Sequence, residues 1–221
     1  MIITIDGPGG AGKSSAARTL ARRLGFEFLD TGAMYRAVTL AALRAGLDPG
    51  DQDALACLMR SIRLELPPGR VVLDGEDVSG LVRTHEVDRA TSTIADSPVV
   101  RRRLGEMQRA VAAGRRMVCE GRDQGTVVFP DAFCKFFLSA APEERARRRQ
   151  AEMAARGDTV ELDALLGALE ERDRRDAARN LAPMRPAADA VVLDSTGRSL
   201  HEVVDRMEAE VRRRWPGGQD S

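Results

Sequence analysis

The sequence predicts an α/β fold in which a five-stranded parallel sheet is covered by helices on both faces. Short apolar runs alternate with stretches of helical periodicity, as is typical of strands joined by helical crossovers. A glycine-rich turn directly after the first run indicates that ligands bind at the carboxyl ends of the strands. The five apolar runs lie at residues 2–5, 26–29, 117–119, 133–138 and 190–193.

Start and stop signals define the helices between these strands. The first helix carries an apolar stripe that includes Ala17 and Leu20, and Gly25 follows it as a helix stop. Pro98 is expected at the first position of a later helix, and Ser199 is expected to cap the last one. The predicted helices lie at residues 14–24, 33–45, 52–61, 84–95, 98–113, 142–156, 161–180 and 199–215.

Residues 63–83 differ from this alternating pattern. Short runs at residues 63–66 and 70–73 are separated by a turn at residues 67–69, which is typical of antiparallel hairpins. We interpret this segment, together with the helix after it, as an insertion into the parallel core. Residues 30–32 are expected to close the second strand, and residues 217–221 to form a frayed tail.

Composition narrows the classes of function. The 34 basic residues balance 34 acidic ones, so a broad nucleic-acid-binding face is not supported. The three cysteines are too few and too far apart for a disulfide framework or a zinc site, and Cys119 and Cys134 are expected to be buried thiols. No signal peptide or membrane-length apolar run is visible, so we expect a cytoplasmic protein without a membrane partner.

Residues 7–14 match the pattern G-x-x-x-x-G-K-[ST] at every fixed position, between a predicted strand and a predicted helix. In such a P-loop, backbone N–H groups converge on phosphate oxygens at a helix N-terminus. Lys13 would reach the β- and γ-phosphates, and the Ser14 hydroxyl would help to hold Mg²⁺. A ligand-free glycine turn is the alternative, but Lys13 and Lys135 are the only lysines in this arginine-rich chain. The sequence therefore predicts a nucleotide-phosphate site.

Four arginine groups could hold a second phosphate, because the planar guanidinium pairs two oxygens at once. Arg36 and Arg122 follow predicted strands, where a doubly wound fold binds its ligands. The other two groups lie on predicted helices, at residues 145–149 and 172–179. From periodicity alone, a solvated helix face is the better interpretation of the two helical groups.

Together, the P-loop and residues 30–36, 120–130 and 171–176 resemble bacterial cytidylate kinases, in register to about Arg213. The resemblance implies a single P-loop kinase unit over residues 1–221. Its implied core comprises residues 1–62, 97–144 and 181–215, with an inserted nucleoside-monophosphate-binding region at about 63–96. A helical lid is implied at about 145–180.

The resemblance also implies transfer of the γ-phosphoryl group of ATP to CMP or dCMP, with Mg²⁺, in a monomer without nucleic-acid partners. The implied catalytic residues are Lys13, Arg36, Arg122 and Arg172. The implied ATP-binding residues are Gly7, Pro8, Gly9, Gly10, Ala11, Gly12, Lys13, Ser14, Ser15, Arg145 and Arg149. The implied CMP-binding residues are Thr31, Tyr35, Arg36, Ser92, Arg101, Arg122, Asp123, Asp176 and Arg179.

Alternatives remain at this stage. A kinase for UMP or AMP would share the scaffold, and substrate preference would separate it from a CMP kinase. A GTPase switch has a D-x-x-G match at residues 77–80, but no Asn-Lys-x-Asp motif is possible around the two lysines. The hydroxyl of Ser92 is also typical of a helix surface. Ser15 and Gln124 depart from the residues usual in cytidylate kinases, and the sequence offers no explanation for Gln124.

Overall fold

The computed structural model describes residues 1–155 and 157–215 and confirms the α/β fold. The strands are β1 Ile2–Asp6, β2 Glu27–Asp30, β3 Leu64–Glu65, β4 Val72–Leu73, β5 Glu76–Asp77, β6 Met117–Glu120, β7 Cys134–Ser139 and β8 Val191–Asp194. The α-helices are α1 Lys13–Leu24, α2 Thr31–Arg44, α3 Gln52–Ser61, α4 His85–Ile94, α5 Pro98–Ala112, α6 Pro142–Ala154, α7 Leu162–Ala178 and α8 Leu200–Arg214. A 3₁₀-helix spans Leu81–Arg83 and a π-helix spans Gln124–Val128.

The chain divides into two compact units. The first comprises Met1–Leu29 and the chain from Gly114 onward, and the second comprises Asp30–Ala113. The second unit contains the predicted insertion at residues 63–96 as well as α2, α3 and α5. The predicted frayed tail, residues 217–221, and position 156 of the predicted lid lie outside the described residues.

The first unit is built on a five-stranded sheet with the strand order β2-β6-β1-β7-β8. β1 pairs in parallel with β6 on one side, where Ile5 lies opposite Glu120, and with β7 on the other, where Asp6 lies opposite Phe137. β7 and β8 are also parallel. The carboxyl ends of these strands therefore meet at one edge of the sheet, and the P-loop leaves the central strand at that edge.

Apolar side chains from the sheet and two helices form the core of this unit. Ile3 and Phe136 of the sheet pack with Leu20 of α1 and Met207 of α8, and all four are almost fully buried. This burial explains the apolar runs that predicted the strands. Cys119 and Cys134 are free and buried, as predicted.

The second unit has its own sheet and its own core. Strands β3, β4 and β5 form a three-stranded antiparallel sheet, which confirms the predicted hairpins. Leu73, Val78 and Val82 form a buried cluster with Ala37 of α2. Among residues 1–155 and 157–215, no helix has both the length and the apolar character needed to cross a bilayer.

All predicted helix boundaries lie within two residues of the observed ones, and the two-residue difference at the start of α2 has a clear reason. Pro98 opens α5, and Ser199 forms a capping box with Glu202 at the start of α8, as predicted. The prediction that residues 30–32 close the second strand is wrong for Thr31 and Gly32. The Asp30 carboxylate accepts the backbone N–H of Ala33 at 2.7 Å and caps α2, which therefore begins at Thr31.

Candidate active site

The P-loop leaves β1 through a backbone path that only glycine can follow. Gly7 has a φ of 139°, and a Cβ atom at this position would lie 2.0 Å from the carbonyl oxygen of Leu138 in β7. The neighbouring strand therefore fixes where the loop starts. The loop ends at Lys13, the first residue of α1, so the amides of the loop and of the helix N-terminus lie together.

The two side chains that the motif predicted as phosphate and Mg²⁺ ligands are held by specific partners. Lys13 is buried, and its Nζ donates to the backbone carbonyl of Pro8 at 2.7 Å. The Ser14 hydroxyl donates to Oε1 of Glu120 at 2.6 Å. Sequence analysis missed Glu120. It ends β6, the strand beside β1, so its carboxylate lies next to the start of α1.

Several positive charges converge on the P-loop. The pKa of Lys13 is lowered to about 7, chiefly by burial and then by the Arg122 guanidinium, with Arg172 acting in the same direction. The carboxylates of Glu120 and Asp6 oppose this shift only in part. A cluster of cations in which a buried lysine loses its proton near neutral pH is a site suited to an anionic ligand.

Arg122 is connected to the charged helix α7 through a buried carboxylate. Its Nε donates to Oδ2 of Asp176 at 3.1 Å, and Arg179 pairs with Oδ1 of the same carboxylate at 2.7 Å. Asp176 is 2% exposed. The structure therefore brings together three of the residues predicted to bind CMP. Arg122 also approaches the P-loop, because its NH2 atom lies 3.7 Å from where a Cβ of Gly9 would be.

Two further carboxylates, those of Asp6 and Asp123, lie at the carboxyl end of the central strands. Asp6, the last residue of β1, accepts the backbone N–H groups of Gln124 at 2.8 Å and Gly125 at 2.7 Å. The pKa of Asp6 is raised to about 6, chiefly by burial and in smaller part by the neighbouring Asp123, while the two N–H groups oppose the shift. Asp123, the predicted cytosine contact, is itself only 5% exposed. Sequence analysis missed Asp6.

The predicted lid helices α6 and α7 pack on the P-loop. Arg145 of α6 donates from NH1 to the Gly9 carbonyl at 3.1 Å and to Asp173 of α7 at 2.5 Å. Its guanidinium thus joins the loop and both helices. Leu169 of α7 lies 3.4 Å from the Cβ position of Gly9.

Beside the P-loop lies a cavity of about 300 Å³. Arg148 borders it and donates to the hydroxyl of Ser195 at 3.0 Å and to its carbonyl at 2.8 Å. Sequence analysis did not name Arg148. Arg149, which it named as an ATP contact, pairs with Glu152 of its own helix at 3.2 Å. The cavity is also lined by Gly10, Gly12, Ser15, Glu144, Arg198 and Leu200.

The other residues predicted to bind CMP lie in the second unit. Arg36 pairs with Asp30 at 3.3 Å, and the Arg101 guanidinium lies over the Tyr35 ring at 5.8 Å. Arg101 is buried and donates to the Ala95 carbonyl at 2.9 Å. Of the two remaining residues, Thr31 is buried at the start of α2, and the Ser92 hydroxyl donates to the Arg89 carbonyl at 3.5 Å.

Comparison with known proteins now identifies the family. The family model described as cytidylate kinase matches residues 3–213. The chain belongs to the cytidylate kinase family. This finding confirms the resemblance that the sequence motifs indicate. It also excludes the interpretation of this chain as a GTPase switch.

Curated relatives are similar over nearly their whole length. A cytidylate kinase of Citrifermentans bemidjiense is 48% identical over 99% of this chain and 95% of the relative. One of Pelotomaculum thermopropionicum is 50% identical, with 95% of each chain covered. One of Vibrio cholerae is 48% identical, with 93% of each chain covered.

Solved structures support the fold. A shikimate kinase from Bacteroides thetaiotaomicron superimposes with a TM-score of 0.50 over 96% of this chain and 98% of its own, at 14% identity. An uncharacterized protein from Eubacterium ventriosum gives a TM-score of 0.53 over 96% of this chain and 98% of its own, at 12% identity. At such low identity these likenesses bear on the fold alone.

Proposed function

We propose that this protein transfers the γ-phosphoryl group of ATP to CMP and dCMP, yielding ADP and the cytidine diphosphates. Membership of the cytidylate kinase family supports the reaction. The structural observation that carries the proposal is the approach of Arg122 to the P-loop at Gly9, beside the buried Lys13, whose pKa both Arg122 and Arg172 lower. Phosphoryl transfer is accelerated mainly by positioning and by stabilising charge on the phosphoryl oxygens, and this cluster supplies both.

The donor nucleotide is assigned to the P-loop and the adjacent cavity. Backbone amides of residues 7–14 would hold the phosphates, and Lys13 would leave the Pro8 carbonyl for the β- and γ-phosphates. The cavity bordered by Arg148, at about 300 Å³, lies at the lower end of the size range of small-molecule pockets and is lined by Gly10 and Gly12 of the P-loop, so we place the ATP nucleoside there. Contacts of Ser15, Arg145 and Arg149 with ATP remain predictions.

The oxygen atoms at Ser14 and Glu120 fit Mg²⁺. Proteins bind this ion through one or two carboxylates together with substrate phosphates, and the two side chains already lie 2.6 Å apart. We propose that Ser14 and Glu120 are the residues that would hold the ion together with the nucleotide phosphates. When bound, Mg²⁺ neutralises charge on the β- and γ-phosphates.

On the acceptor side, Arg122 is the group we assign to the phosphate of CMP. In the structure its charge is balanced by Asp176, which Arg179 also contacts. A phosphate dianion is a stronger bidentate partner for a guanidinium than a shared carboxylate, so CMP would compete for Arg122. Asp176 and Arg179 would then be available to the ribose hydroxyls, as the resemblance implies.

Cytosine recognition is assigned to Asp123 because cytosine has an exocyclic amino group that donates hydrogen bonds. Uracil has a carbonyl at that position and would face the carboxylate acceptor to acceptor. A buried carboxylate left without its donor is costly, and Asp123 is 5% exposed. This contrast is our reason for preferring CMP over UMP as the acceptor.

The second unit supplies the remaining proposed acceptor contacts. Thr31, Tyr35 and Arg36 are assigned to the acceptor phosphate, and Ser92 and Arg101 to the base. The pairing of Arg36 with Asp30 and the packing of Arg101 on Tyr35 give both guanidinium groups defined positions. Closure of the lid at residues 145–180, the monomeric state and the cytoplasmic location stay predictions.

The proposal is tested by ADP release from ATP in the presence of CMP, dCMP, UMP or AMP in turn. We expect kcat/KM to be highest for CMP and dCMP. A higher value for UMP or AMP would assign the protein to the alternative kinases. Arg103→Ala is a suitable control and should keep the substrate preference of the wild type. Arg103 lies on the surface of α5, where it forms an ion pair with Glu106 at 3.2 Å.

A further inference from the structure

The segment that carries Arg122 and Asp123 continues into the π-helix Gln124–Val128. Inside this short helix the carbonyl of Asp123 accepts the N–H of Val127 at 2.9 Å, and the carbonyl of Gln124 accepts that of Phe129 at 2.7 Å. The first N–H groups of any helix have no acceptor within the helix. In this turn they include the N–H groups of Gln124 and Gly125.

Asp6 satisfies both of these N–H groups from outside the helix. Its two carboxylate oxygens each accept one N–H, from Gln124 at 2.8 Å and from Gly125 at 2.7 Å. Asp6 is itself fixed, because it ends β1 in register with Phe137 and the following residue, Gly7, packs against β7. The carboxylate is therefore a rigid reference point on the central strand.

Close packing under Gly125 holds the segment to the same face of β1. A Cβ atom at Gly125 would lie 2.8 Å from Oγ1 of Thr4 and 3.2 Å from Cδ of Lys135. Thr4 and Asp6 are two residues apart on the strand and therefore project from the same face. The backbone at Gly125 thus lies directly on the strand that ends in the P-loop.

We propose that Asp6 is a positioning residue, which holds the backbone at Gln124 and Gly125 and thereby sets Arg122 and Asp123 in place for the acceptor nucleotide. The inference rests on the roles proposed above for Arg122 and Asp123. It extends them to a residue that precedes the P-loop, where a donor-side role would otherwise be expected. It predicts that substitutions of Asp6 change kcat/KM for the acceptor CMP more than they change the KM for the donor ATP.

Asp6→Asn tests this prediction with little change in shape. The amide oxygen still accepts one N–H, but the amide nitrogen faces the other N–H donor to donor. Hydrogen bonds to charged groups are strong, so we expect kcat/KM for CMP to fall on the order of 10- to 100-fold. We expect the preference for CMP over UMP to shrink and the KM for ATP to stay within about twofold.

Gly125→Ala is an independent perturbation, because it lifts the same backbone from β1 without changing the charge of Asp6. It should produce the same defect toward CMP. Asp205→Asn is the matched control: it makes the same chemical change on α8, where Asp205 pairs with Arg23 at 2.5 Å, and it leaves the Asp6 contacts intact. It should retain the CMP kinetics of the wild type. Circular dichroism melts of all three variants verify that each is folded.

Amide hydrogen exchange of the peptide covering residues 121–130 tests the Asp6 contact with the backbone separately from its effect on the CMP kinetics. We expect exchange to accelerate in Asp6→Asn and Gly125→Ala but not in Asp205→Asn. Unchanged exchange in Asp6→Asn would overturn the proposal, as would equal losses toward ATP and CMP. Accelerated exchange with unchanged CMP kinetics would also overturn it, and would locate the error in the roles proposed for Arg122 and Asp123.

Discussion

Asp6 gives a quantitative prediction about stability as well as one about activity. Burial raises its pKa from 3.8 to about 6 in the folded protein, although two N–H groups and Lys13 favour the charged form. A carboxyl group whose pKa is raised on folding binds its proton more tightly in the folded state. Its contribution to stability is therefore fully present below about pH 4 and is lost as the pH rises through about 6.

The size of this effect follows from the shift. Moving from 3.8 to about 6 is a change of about two pKa units, which corresponds to about 3 kcal/mol at neutral pH. Because Asp6 is only 4% exposed, solvent screening reduces the value little. Asp6→Asn removes this titration and leaves the other ionisable groups in place.

The assay is urea unfolding of wild type and Asp6→Asn at pH values from about 4 to 7.5, with Thr4→Val as the control. We expect the free energy of unfolding of the wild type, relative to Asp6→Asn, to fall by about 2.5 kcal/mol across this range, because part of the contribution is already lost at pH 4. The difference between wild type and Thr4→Val should stay constant. A constant difference for Asp6→Asn as well would refute the argument that burial dominates the ionisation of Asp6.

Three further predictions concern the nucleotide sites. Arg122→Ala should lower kcat by roughly 100-fold or more while changing ATP affinity little; equal losses in stopped-flow turnover and in ATP titrations would argue against an acceptor-side role. Asp123→Ala should reduce the ratio of kcat/KM for CMP to that for UMP by about tenfold or more, and an unchanged ratio would remove Asp123 from base recognition. At pH 8, ATP binding should take up a proton, because the pKa of Lys13 is about 7 without ligand and phosphates raise it. Calorimetry in buffers of different ionisation enthalpy measures this uptake. It should vanish in Lys13→Arg, whose guanidinium stays protonated, and uptake that persists there would assign the proton to another group.

The fold was largely predictable because its signals are local. Buried parallel strands require apolar runs, and the sequence has five of them at the observed strands. The Ser199 capping box is likewise encoded within four residues. The start of α2 was misplaced because an aspartate after a strand is typical of both a turn and a helix cap, and only the Asp30 contact to Ala33 decides between them.

The P-loop was predictable for the same reason, since its spacing is fixed within eight residues. Glu120 and Asp6 were missed because their contacts depend on β6 lying beside β1. These two strands are neighbours in the sheet, although β2 to β5 separate them along the chain. No local pattern encodes that strand order. Arg148 was missed because neighbouring positions on a helix point about 100° apart, and only the packing of α6 shows that position 148 borders the cavity.

The central claim is that ATP and a cytidine monophosphate are held for direct transfer of one phosphoryl group. The most direct measurement supplies γ-³²P-labelled ATP with an equimolar mixture of CMP, dCMP, UMP and AMP and identifies which diphosphate carries the label. We predict that the label appears mainly in CDP and dCDP, and that Arg122→Ala abolishes this transfer. Label found mainly in UDP or ADP, or released as free phosphate at the same rate without CMP, would contradict the account.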